Sequence, residues 1–225
     1  DTGGRAPNVV QSQAQVLYKV RAPRMDQVRE ITERVKDVAR GAALMTGTQL
    51  EITFDAASAD LVPNVTLARM MHQEFEKFGV AGFSNSEKDF AGSIQKTFSS
   101  EVQARIAKRG KILSEDLNAF EEVPTFLHGS TDVGDVSWLV PTGQVYVATE
   151  AYGTPPHTWQ MVSQGTSGYA HKGMLQAGKV LAASAVRALT DPELIAVAKR
   201  EHQEQLGGDS YIPLIPADAT PQRLR

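Results

Sequence analysis

Two apolar rhythms alternate over residues 9 to 54, and this alternation sets the fold class expected of the chain. From Gln15 to Val20, the apolar Val16, Tyr18 and Val20 alternate with Gln15 and Lys19. Leu17 interrupts the pattern, but the two-residue period predicts a half-buried strand ending at Pro23. From Met25 to Met45 the spacing changes to threes and fours: Met25, Val28, Ile31, Val35, Val38, Ala42 and Met45 share a face, with Arg29, Glu33, Lys36 and Arg40 between them. That predicts an amphipathic helix stopped near Gly47. Leu50, Ile52 and Phe54 then alternate with Glu51 and Thr53, predicting a second strand. Strand, helix and strand make half of a small α+β sandwich, whose sheet keeps open edges unless other strands complete it.

Beyond a small, polar connector at 56–60, helical signals dominate. Pro63-Asn64 opens a helix with the core stripe Leu67, Met70, Met71, Phe75 and Phe78, closed by Gly79. The Ser84-Asn-Ser-Glu87 cluster has capping-box spacing and starts a helix that buries Phe90, Ile94 and Phe98. Gln144 to Glu150 alternates as a third strand after the Pro141-Thr-Gly143 turn. Gln164 to Leu189 is helical, with Ala170, Met174, Ala177, Val180, Leu181, Ala185 and Leu189 largely on one face and glycines that permit close packing. Asp191 caps a last helix with Pro192 at its first position, where the missing N–H costs nothing, and Gly207-Gly208 ends it.

Composition narrows the function classes. Lys plus Arg total 23 against 26 Asp plus Glu, a net charge of -3, which provides no broad positive field for nucleic acid or an anionic membrane. The basic stretch Arg105 to Lys111 is flanked by Glu101, Glu115 and Asp116 and reads as a solvated face. There is no cysteine, so disulfide and thiolate chemistry are excluded for these residues, and a reducing, cytoplasmic setting is the default expectation. No apolar run approaches the ~20 residues a bilayer span requires, so the chain is expected to be soluble. The chain does not begin with methionine and opens on a Gly-Gly turn leading toward a strand. The expectation is a fragment, or one piece of a cleaved protein.

Two loops carry residue types suited to chemistry. Gly129-Ser-Thr-Asp132-Val-Gly-Asp135-Val-Ser-Trp138 can expose backbone N–H groups and orient a ligand with its carboxylates, although Thr131 or Asp132 would serve as readily to cap a helix. About two dozen residues later, Tyr152-Gly-Thr-Pro-Pro-His157-Thr-Trp159 places an imidazole on a Pro-stiffened turn, where it can bind a metal. One histidine does not make a metal site, and from the residues alone a hydrogen-bonded structural histidine explains His157 better. His128 could orient the Gly-Ser-Thr-Asp loop. His171 fits structural packing, and His72 and His202 sit among charges on amphipathic helices and read as solvent-facing. A self-contained site from His128, Asp132, Asp135 and His157 has no diagnostic spacing. Neither Gly-Ser-Thr-Asp nor Ser163-Gln-Gly165 has the strand-to-helix setting of a serine nucleophile, and no P-loop or dinucleotide fingerprint is present.

Taken together, several ordered segments resemble one family. These are Gly3-Gly-Arg-Ala-Pro-Asn8-Val-Val10, Tyr18-Lys-Val-Arg21-Ala-Pro23, Gly41-Ala-Ala-Leu-Met-Thr-Gly-Thr48, Leu127-His-Gly-Ser-Thr-Asp-Val-Gly-Asp-Val-Ser-Trp138, and Pro156-His-Thr-Trp159 through Ala170-His-Lys-Gly-Met174. The chain resembles the B-type aminobenzoyl-glutamate amidohydrolases, within the aminoacylase and carboxypeptidase-like metallopeptidases. The resemblance implies an α/β fold: residues 1–56 as the later part of an α+β, ferredoxin-like dimerisation and lid domain, and residues 60–225 as the C-terminal half of the catalytic domain. It further implies two divalent ions, Zn or Mn, with most ligands and the glutamate general base in the N-terminal half that this chain lacks. His157 corresponds to the C-terminal metal ligand, and Thr131 and Asp132 to a substrate-side loop. Asn8 and Arg21 correspond to groups that reach across a homodimer, an amide toward the oxyanion and a guanidinium toward a substrate carboxylate. The implied substrate is a small N-acyl amino acid, such as aminobenzoyl-glutamate. A non-catalytic piece used for dimerisation or binding is the alternative.

Overall fold

The computed structural model describes residues 4, 6–123 and 127–220. The entry motif Gly3 to Val10 lies partly outside the described residues. Among them eight helices form: α1 (Met25–Thr46), α2 (Val65–Phe78), α3 (Asn85–Gln95), α4 (Ser100–Ala107), α5 (Val133–Leu139), α6 (Trp159–Gln164), α7 (Gly168–Thr190) and α8 (Pro192–Leu206). No strand occurs among the described residues, so the architecture there is all-helical and the α/β class with a ferredoxin-like domain is wrong for it. The three segments expected as strands, 15–20, 50–54 and 144–150, join no ladder. A two-residue period states which side chains share a face, but a strand also needs a neighbour to accept and donate its backbone hydrogen bonds. No such neighbour lies among the described residues.

The chain divides into two compact units, one comprising Asp1–Leu61, Gly129–Asp135 and Tyr211–Arg225, the other Val62–His128 and Val136–Ser210. In the first, α1 has the expected amphipathic spacing, yet Met25 is its one buried residue, and Val38 and Met45 are 72% and 84% exposed. Its N-terminus is tied down by the Met25 N–H donating to Asp60 Oδ1 at 3.0 Å, and its end by Gly47 in a left-handed cap.

The second unit holds the core. Ala91, Ile94, Phe98, Ile106, Leu113, Ala151, Tyr169 and Ala170 form one buried cluster, with each large apolar side chain contributing roughly 1.5–3 kcal/mol by leaving water. α2, α7 and α8 pack on one another. Asn64 links two of them: its side-chain oxygen caps α2 by accepting from Leu67 N, and its amide donates to Ala198 O of α8 at 2.9 Å. Glu201 of α8 accepts from Val65 N and Thr66 N, so a carboxylate sits where the helix N-terminus is positive. The capping box at Ser84 and Glu87 and the Asp191 cap with Pro192 form as expected. The buried face of α7 is rotated from the one expected: Tyr169, Ala170, Gly173, Gln176, Val180 and Ser184 are buried, whereas Met174, Leu181 and Leu189 are exposed. Small and amide side chains win those positions because they permit close approach and can hydrogen-bond, as Gln176 Nε2 does to Gly79 O at 2.6 Å.

Glu74 of α2 is buried and accepts from Lys77 Nζ at 2.7 Å and from Arg187 Nη1 of α7 at 3.2 Å. Lys77 and then Arg187 hold its carboxyl below the ordinary glutamate value. A lowered folded-state pKa means that the folded state releases the proton more readily than the unfolded chain. The stabilisation is therefore complete above about pH 4.5 and is lost as pH falls through the lowered folded value. Urea denaturation should show wild type more stable than Glu74→Gln at pH 7, with the gap closing under acid. A gap independent of pH would show that the charge contributes nothing.

Candidate functional site

The His157 turn is built from its two ends inward. Ala151 is fully buried, and the adjacent Tyr152 N–H donates to Ile112 O at 2.8 Å while Gln95 Nε2 donates to Tyr152 O at 3.0 Å. Gly153 has φ 83 and lies so close to Ile106 Cγ2 that a Cβ would collide with it, so glycine is required twice over. Thr154 closes the first bend by donating both its N–H and its hydroxyl to Ala151 O, at 3.1 and 2.7 Å. At the other end, Thr158 Oγ1 donates to Pro155 O and caps α6 by accepting from Met161 N. Between these anchors His157 is exposed and has φ 59, the one non-glycine residue of positive φ among the described residues. That backbone state is tolerated by histidine but costs on the order of 1 kcal/mol or more.

Beneath the turn lies a buried polar network. Gln164, 0% exposed, accepts from Ala151 N at 2.7 Å and Tyr169 Oη at 2.6 Å, and donates to Thr154 Oγ1 at 3.2 Å and Gln160 O at 2.8 Å. Burial pushes the Tyr169 phenol up from its ordinary value, which keeps it a donor, and burial likewise raises the neighbouring Glu150 carboxyl. Sequence reasoning weighs Ser163-Gln-Gly165 only for a serine nucleophile and misses the amide between them.

The other candidates belong to the first unit. Arg21 Nη2 donates to Ser130 Oγ at 3.4 Å, which joins the arginine to the Gly-Ser-Thr-Asp loop within one unit. Thr131 Oγ1 accepts from Val133 N at the start of α5 and lies 3.4 Å from Asp132 Oδ1, so Thr131 supports the helix entry while the Asp132 carboxylate stays exposed. Asp135 is structural: it accepts from Tyr211 Oη at 2.7 Å and Ala59 N at 3.2 Å, and it raises the Tyr211 phenol. Asn8 is exposed.

Three of the remaining histidines depart from expectation. His202 is buried, 3% exposed, and its Nε2 lies 2.7 Å from Ser137 O, a structural histidine where a solvent-facing one is expected. His72 packs its ring against Phe120 at 5.4 Å and faces Glu76, whereas His171, expected to pack, is exposed. His128 is also exposed. A cleft of about 590 Å³ beside His72 is lined also by Arg69, Glu76 and Phe120. Its arginine is already engaged, pairing with Glu122 and stacking over Phe120.

The donor set tests the expected metal centre. Among the described residues no group of three or more histidines and carboxylates could hold a metal ion. His157 is one imidazole, well presented, and the described residues do not by themselves fit a two-metal site.

No family model matches the chain, and no solved structure does. Among curated proteins, one of the subunits of the p-aminobenzoyl-glutamate hydrolase of Escherichia coli is 40% identical over 242 residues, covering 100% of this chain and 50% of the relative. The chain is homologous, over part of their length, to proteins named as a hydrolase or as dipeptidases. The Xaa-Arg dipeptidases of Mus musculus and Homo sapiens match at 28% and 26% identity over 91% and 93% of this chain, and 39% and 40% of their own lengths. The chain thus spans about half the length, or less, of the curated relatives it matches. Among the described residues no helix is long and apolar enough to cross a membrane.

Proposed function

We propose that this chain is part of a metal-dependent amidohydrolase that cleaves the amide bond of an N-acyl amino acid, with aminobenzoyl-glutamate as the model substrate. The observation that carries the reading is 40% identity, over the entire chain, to a protein named for hydrolysing that compound. The compounds in the relatives' names, p-aminobenzoyl-glutamate and an Xaa-Arg dipeptide, both have an amide next to an amino acid that keeps a free carboxylate. Arg21 would offer this carboxylate a charged fork, and the Thr131 hydroxyl and backbone N–H groups of its loop would offer neutral donors. Asn8 supplies an amide donor for a developing oxyanion. His157 is the donor this chain contributes to a centre of two divalent ions, Zn or Mn. Such a centre, completed by ligands from outside this chain, would activate water and polarise the scissile carbonyl. Its other ligands and the general base are assigned to the half of the relatives that this chain does not span, and no step is assigned to the chain's own carboxylates. The proposed assembly is a homodimer, in which Asn8 and Arg21 would serve the partner's site.

A second reading, a non-catalytic dimerisation or binding piece, is favoured by the exposed Val16, Leu17 and Tyr18 and the uncovered face of α1. Expression of this chain alone separates the two. The expected result is weak zinc binding by calorimetry and no hydrolysis of aminobenzoyl-glutamate, with both gained when a polypeptide corresponding to the relatives' other half is added. Tight stoichiometric zinc and turnover by the chain alone would overturn this division of the site. No gain on completion would leave the binding piece as the answer.

A further inference from the structure

Gln164 makes four hydrogen bonds with a side chain that has room for four. Its oxygen takes the Ala151 N–H and the Tyr169 hydroxyl, and its amide protons go to Thr154 Oγ1 and the Gln160 carbonyl. Ala151 and Thr154 form the first bend of the turn that presents His157, and Gln160 belongs to the helix that follows it. One buried amide therefore joins both sides of that turn to α7 through Tyr169. Glutamine is the side chain the arrangement demands. The Thr154 hydroxyl proton is committed to Ala151 O, so Thr154 Oγ1 meets Gln164 as an acceptor, as does the Gln160 carbonyl. A glutamate carboxylate of the same shape would set acceptor against acceptor twice. A leucine of similar bulk would orphan the Ala151 N–H in a fully buried place and remove the acceptor of the Tyr169 hydroxyl, and an orphaned buried donor costs its full desolvation free energy.

We propose that Gln164 is the positioning residue for His157, fixing the strained turn so that the exposed imidazole is presented in one place. This rests on the reading of His157 as a functional group, and the test separates the two. Heteronuclear NMR on this chain would follow the His157 ring signals and hydrogen exchange at Ala151 in wild type, Gln164→Leu, Gln164→Glu and Val180→Ala. Val180 is fully buried on α7 and is absent from the network, so its truncation lowers stability without touching the turn. Both Gln164 variants are expected to move or broaden the His157 signals, and Gln164→Leu to speed exchange at Ala151 by about tenfold or more. Val180→Ala should lower the melting temperature and leave the His157 signals where they are. If Gln164→Leu does not fold, Gln164→Glu decides, because it preserves shape and reverses only the two donated bonds. Unmoved His157 signals in the folded Gln164 variants would overturn the proposal, as would an equal movement in Val180→Ala. Moved signals together with normal hydrolysis by His157→Ala enzyme would keep the positioning role and reject the functional reading of His157.

Discussion

His157→Ala is expected to reduce aminobenzoyl-glutamate hydrolysis by the completed enzyme by at least about 100-fold, since losing a metal donor costs more than losing a group that merely orients one. The same substitution should change the folding stability of this chain by no more than about 1 kcal/mol, as befits an exposed side chain. The pairing of a large loss of activity with a small change in stability is the informative result. His157→Gly sharpens it. At φ 59 a residue with a Cβ is strained, and glycine relieves that strain at the expense of a floppier unfolded chain, so stability should be equal to or above that of the alanine variant while activity stays lost. Turnover assays and thermal denaturation measure both quantities. Near-normal turnover in either variant would make His157 a scaffold residue, and a large loss of stability would make the turn part of the folding core.

Which parts of this structure are legible in the sequence follows from the range of the interactions involved. The Asn64, Ser84 and Asp191 caps are local, a side chain reaching three residues along its own helix, and all three form where expected. The segments expected as strands are defined by partners, and partners are absent among the described residues. The face of α7 lies between these cases: its periodicity is local, but which stripe is buried depends on Gly173, Gln176 and Ser184, residues no hydrophobicity pattern would choose. At the candidate site, residue types single out the imidazole on its Pro-Pro turn but favour a hydrogen-bonded structural histidine, whereas the structure exposes it. The Arg21 contact with Ser130 spans 109 residues and the Gln164 network gathers four separate groups, so neither leaves a trace in local spacing. His202 escapes for the same reason. Its charged neighbours along α8 conceal a partner, the Ser137 carbonyl, that folding brings from 65 residues away.

The approach of the 148–149 segment to α7 leads to an expected reversal of sign between two glycines of the same helix. Gly173 is buried, and a Cβ there would lie far inside van der Waals contact with the Ala148 carbonyl oxygen and 2.8 Å from Thr149 Cγ2. The obstructing oxygen is backbone and cannot rotate aside, so either α7 shifts or the segment leading to Ala151 lifts. Gly173→Ala should therefore destabilise by about 1–3 kcal/mol, the usual range for overpacking. That loss outweighs the roughly 1 kcal/mol that alanine gains over glycine in a helix interior. Gly178, five residues on, is exposed, and a Cβ there meets nothing within 4 Å, so Gly178→Ala should gain up to about 1 kcal/mol. Urea denaturation of the two variants side by side tests this, because helix propensity is common to both and only the contact differs. If Gly173→Ala matched or exceeded wild-type stability, the 148–149 segment would not be seated on α7, and the turn bearing His157 would lose the support that fixes its geometry.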